Sequence, residues 1–270
     1  MMALRWLANA ALMMGELAAV AGLAMLATRM PLVFAAVTAL MALALGTILE
    51  RKRLLFELPF YIEGESRFGR IAATVVGLVT SVAKAVMVGF LALLTFSGTN
   101  TDRRFWIALA MAVTIYAGIS LLRRLWLSFG VRAARWGYFR LALPLGVLFA
   151  LGVAGLTAAR LVETPNFAAI MRQIILDVPV RPNLAEASEL LFQLKLYIDT
   201  VIVGLLATMM SKEAAQLLGV VLSVNALAGL VAAVWAVVIG STSVWLEARL
   251  SRTAQDQGTK PDGRVRLDGG

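Results

Sequence analysis

Long apolar runs alternate along this chain with short polar connections, and the runs have the length of a bilayer rather than of a soluble core helix. Seven of them lie near 7–28, 30–49, 71–96, 105–122, 141–161, 190–210 and 214–246. About 20 residues is what an α-helix needs to cross a hydrocarbon core roughly 30 Å thick. A transmembrane barrel would instead show alternating segments of about ten residues, and none is visible. The pattern predicts an all-α fold, a polytopic transmembrane helical bundle over 1–246 with seven apolar segments forming six to eight spans. The remainder, 247–270, is polar, mixed in charge and Gly-rich, and is expected to be a disordered tail. The first run has Arg5 as its one basic flank and no small-residue cleavage site before Arg29, which favours a retained helix over a cleaved signal.

The basic residues give the bundle a direction. Connection 50–70 carries Arg51, Lys52, Arg53, Arg67 and Arg70, and connection 123–140 carries five arginines and no acid, whereas the connections at 29 and 97–104 carry one and two. The positive-inside bias places 50–70 and 123–140 in the cytoplasm, together with the amino terminus, of a plasma or inner membrane. The basic tail belongs there too, yet seven simple crossings from a cytoplasmic start would leave it outside. The run 214–246 is the segment to doubt. At 33 residues it is long for one helix, and Asn225 and Gly229 interrupt it, so a re-entrant or tightly turned pair of helices is expected there.

Two connections read as surface helices. Phe167, Ile170, Met171, Ile174 and Ile175 fall at helical spacing between Pro165 and Pro179, which predicts an amphipathic helix on the outer face. On the inner side Trp126, Phe129, Trp136 and Tyr138 interleave with arginines, the composition of an anchor against anionic headgroups.

Composition narrows the chemistry. Hydrophobic residues make up 60% and charged residues 15% of the 270, against about 25% charged in a typical soluble domain. The net charge of +9 sits in the connections, so a lipid surface and not nucleic acid is the expected partner, alongside a membrane-protein partner or a second copy of the chain. Histidine and cysteine are absent. That removes histidine-ligated haem, histidine-built metal sites, thiol redox work and Ser-His or Cys-His catalysis. None of the five lysines follows a glycine, so no phosphate-binding loop is present. No cofactor or metal is expected, and an enzyme acting on lipid would have to work with a few loop acids such as Glu57, Glu63, Glu65 and Asp177.

Candidate chemistry therefore rests on charges inside the apolar runs: Glu16, Lys84, Lys195 and Asp199. Each costs about 2.5 to 3.5 kcal/mol at the centre of a bilayer helix, so the four are expected to face one another or water. Counted along their runs at 1.5 Å per residue, Glu16, Lys84 and Asp199 fall near the midplane. Lys195 and Asp199 form an i,i+4 pair. Asn9, one heptad before Glu16, and Gln193 and Asn225 are the secondary polar candidates. Lys84 also borders a row of small residues, Ala73, Gly77, Ser81, Ala85 and Gly89, the pattern that lets membrane helices approach closely. Similar rows run through Gly146, Ala150, Ala154 and Ala158 and through Ala228, Ala232, Ala236 and Gly240. A transporter or channel-like permease using this charged cluster to move a small solute or ion is the leading expectation. A non-catalytic subunit or scaffold of a larger membrane complex is the alternative.

Overall fold

The computed structural model describes residues 2–61, 67–96, 101–162 and 184–258. Among them, nine α-helices follow in order: α1 Met2–Arg29, α2 Pro31–Tyr61, α3 Arg67–Phe96, α4 Thr101–Phe129, α5 Ala133–Arg140, α6 Ala142–Ala158, α7 Leu184–Ala207, α8 Lys212–Leu222 and α9 Gly229–Gly258. No strand accompanies them among these residues, as a lipid solvent requires. Only a helix or a closed barrel satisfies every backbone donor and acceptor there.

Five helices are long and apolar enough to span a membrane, in segments Trp6–Arg29, Pro31–Glu57, Ile71–Phe96, Thr101–Phe129 and Gly229–Leu250. The pair α5–α6, bent by 59°, makes a sixth if it counts as one span. The chain is thus an integral, multi-pass membrane protein, with three of the seven apolar runs resolved differently from a simple crossing, 141–161 as the second arm of that bent pair. Run 190–210 contributes only a short apolar stretch, Tyr197–Ala207. Run 214–246 is broken where the sequence anticipates it. Helix α8 stops at Leu222, a 3₁₀ turn covers Val224–Ala226, and α9 starts at Gly229. Helix α9 then passes through 246 without interruption to Gly258, so the polar tail begins as a helix; 259–270 lie outside the described residues. The amphipathic segment 165–179 does as well.

Local sequence sets the helix ends. Pro31, whose missing N–H costs nothing in the first turn, opens α2 directly after α1. Gly130, at φ +60°, closes α4 with its N–H on the Trp126 carbonyl at 3.0 Å, the left-handed cap that glycine adopts without strain. Ser211 caps α8, its hydroxyl accepting the Ala214 N–H at 3.4 Å.

Helix α9 is the centre of the bundle. It packs on α4, α5 and α6 and also touches α1, α2 and α3. Its residues Val231 to Val237 are buried on every side, as expected of a helix that is apolar all round. Trp235 stacks against Phe34 of α2 at 6.3 Å between ring centres and donates its indole N–H to Thr38 at 3.1 Å, while Phe34 meets Phe96 of α3 edge-on at 5.2 Å. The small-residue rows explain how backbones come this close. On α3, Ala73, Gly77, Ser81, Ala85 and Gly89 are all buried, facing α2 in the most extensive helix pairing of the fold. A Cβ on Gly89 would lie 2.9 Å from the Ala39 Cβ. Gly146 of α6 and Gly229 of α9 touch backbone to backbone, with no room for a side chain at either. The α9 row is buried throughout, whereas the α6 row surfaces at Ala158.

Candidate functional site

The three described intramembrane charges, Glu16, Lys84 and Asp199, do not assemble into one site. Glu16 of α1 is 5% exposed and faces α4 and α9. It accepts a short hydrogen bond from the Ser243 hydroxyl and pairs with Arg123 at 3.6 Å. Arg123 also donates to Ser243 at 3.2 Å and pairs with Glu247 at 3.3 Å. Three helices are tied by one guanidinium, whose rigid fork suits several oxygen partners at once.

Lys84 goes elsewhere. Its ammonium makes a close ion pair with Glu50 of α2, which is 2% exposed. It lies 5.1 Å from the centre of the Tyr138 ring and 5.5 Å from that of Phe139 on α5, within range of a cation–π attraction. Helical side chains lean toward the amino terminus, and this lean carries the long lysine stem from the Ser81 level toward Glu50. Arg53 extends the set, 4.0 Å from Glu50, 2.7 Å from Glu57 and 5.3 Å from the Phe139 ring centre.

Asp199 forms a third group on α7. Its carboxylate accepts from the Ser223 hydroxyl at 3.2 Å, at the point where α8 ends, and its charge acts on Arg103 at the start of α4. Asn225, in the turn that follows, donates its side-chain amide to the Val220 carbonyl and its backbone N–H to Ser223 Oγ, both at 3.4 Å. The remaining candidates stand apart. Asn9 and Gln193 are exposed, so Asn9 does not share the buried face of Glu16. The Lys195 side chain lies outside the described residues.

The arrangement has two ends. Lys84–Glu50 and Glu16–Arg123–Glu247 lie where α2 and α4 approach their carboxyl ends, bridged by α5, whose Gly137 sits against Leu122 and Val237. Arg103 marks the other end of α4, twenty residues or about 30 Å from Arg123. Glu16 is therefore level with residues from the end of the apolar stretch of α4, rather than with Asp199. Glu50 and Arg123, the partners that sequence reading assigned to connections, are helical because α2 continues to Tyr61 and α4 to Phe129. A signal for the first was present: Glu50, Arg53 and Glu57 follow at i, i+3 and i+7 with alternating sign, a helical spacing.

Among the described residues, no three His, Cys, Asp or Glu side chains gather to hold a metal ion. No family model, curated protein or solved structure matches the chain.

Proposed function

We propose that the chain is a membrane permease for a small cation, working at the break between α8 and α9. The observation that carries this reading is the polar junction inside apolar sequence, where the Ser223 hydroxyl, at the end of α8, meets the Asp199 carboxylate of α7. A helix interrupted within the membrane region leaves backbone carbonyls at its carboxyl end without intrahelical partners. Such half-helix ends, with an acidic side chain, are the acceptor set that coordinates a monovalent cation or a proton in transporters. Nearby Arg103 would hold the carboxylate when no cation is present, and cation binding would shift that pairing. Positive-inside charge orients the assembly with both termini in the cytoplasm.

The test is flux in proteoliposomes, read as dissipation of imposed Na⁺, K⁺ or H⁺ gradients. Wild-type protein should dissipate at least one of them, and Asp199→Asn should abolish that flux while remaining monodisperse in detergent. Flux unaltered by Asp199→Asn, or absent for all three ions, overturns the proposal.

The second reading, a non-catalytic subunit of a membrane complex, is favoured by an apolar groove of about 420 Å³ between α1 and α4, lined by Leu17, Met25, Phe105, Leu109 and Tyr116 among others. Stoichiometric copurification of another membrane protein in mild detergent would select it.

A further inference from the structure

A second cavity, of about 50 Å³, lies between α2, α3, α5 and α9. One water needs roughly 10–15 Å³ by the same measure, so the space accommodates a small ion with a water or two. Its walls include Ala42, Val88, Leu230 and Val234, and the two polar side chains that line it are Lys84 and Tyr138. The Tyr138 hydroxyl is buried without a hydrogen-bond partner. Gly46 makes room for it, since a Cβ there would lie 2.9 Å from that oxygen. A buried phenol lacking a partner is unfavourable, and a guest that accepts a hydrogen bond from it would offset that cost.

Lys84 decides the sign of that guest. An ammonium has three donors and no acceptor, so Lys84 presents N–H donors to the cavity beside the Tyr138 O–H. Glu50 accepts from Lys84 on one side, which leaves other ammonium donors for a second acceptor. We propose that this cavity is a binding site for one small monovalent anion of halide size, held between the Lys84 ammonium and the Tyr138 hydroxyl, with Glu50 as its built-in competitor for the lysine. The site is separate from the Asp199 junction and stands or falls independently of cation flux.

Equilibrium binding of radiolabelled chloride to detergent-purified full-length protein in a gluconate background tests it. Wild-type protein should bind chloride saturably with one site per chain, bromide should displace it, and the larger divalent sulfate should not. Tyr138→Phe removes one oxygen and keeps the ring, so it should fold normally and weaken binding by about tenfold or more, the loss expected when one hydrogen bond to an ion is deleted. Lys84→Met strands a buried carboxylate, so the double variant Lys84→Met/Glu50→Gln is the usable form, and it should not bind. Glu50→Gln alone should bind more tightly than wild type. Absence of saturable chloride binding to wild-type protein, or binding untouched by Tyr138→Phe, would show that the cavity holds only water and overturn the proposal.

Discussion

The hairpin α2–α3 and the pair α7–α8 use the same two devices, a close helix contact at small residues and a polar bond between helices, and they carry them to different lengths. In α2–α3 the small row runs five positions, from Ala73 to Gly89, all buried. The polar bond is a full charge pair, Lys84 to Glu50. In α7–α8 the contact rests on Gly219 against Val203, and a hydroxyl, that of Ser223, bonds the Asp199 carboxylate. Completing both devices gives a strut in which an ammonium of one helix is held against a carboxylate of the other. Stopping early leaves a carboxylate beside a helix end, where a partner can be exchanged. The stiff pair suits a scaffold and the short pair suits a moving part.

Five variants, each measured by equilibrium unfolding in mixed micelles, would break or sharpen this contrast. Lys84→Ala should have the largest effect, a loss of about 3 kcal/mol, because it leaves a deeply buried Glu50 with only Arg53 at 4.0 Å. Glu50→Ala should cost less, since the part-buried Lys84 keeps its aromatic neighbours and can extend its stem toward water. Equal costs would mean that the pair is not the strut. Next come the glycines. Gly89→Ala forces a Cβ against the rigid Ala39 Cβ and should cost about 1–3 kcal/mol. Gly204→Ala on α7, with open space around it, should gain up to about 1 kcal/mol from helix propensity. A gain at both positions would deny the close approach of α2 and α3. The smallest effect is expected at Ser223→Ala, about 1 kcal/mol for one net hydrogen bond. A loss as large as that of Lys84→Ala would make α7–α8 as rigid as α2–α3.

Periodicity made the close-packing faces legible in the sequence, because a small residue every fourth position lies on one side of a helix whatever it packs against. The break in the last apolar run was legible for a similar local reason, through Asn225 and Gly229. Partners were not legible. Hydropathy marks where hydrocarbon begins and ends, not where a helix does, so Glu50 and Arg123 looked like loop charges one residue beyond their apolar runs. Both stand on helices that continue, α2 to Tyr61 and α4 to Phe129, and they capture Lys84 and Glu16. Residue counts along separate runs ignore how the helices are offset against one another, so they did not indicate that Glu16 meets Arg123 and Ser243.

The helix at the middle of the bundle is also one that a ribosome delivers after every transmembrane helix it packs against. While α1 to α4 enter the bilayer, the faces that will enclose α9 have nothing to enclose, and Glu16 and Arg123 wait without Ser243 and Glu247. The early helices must therefore be held together, by one another or by an insertion chaperone, until the closing segment threads between them. Synthesis of this protein has a vulnerable interval that ends only when Val231 to Val237 arrive.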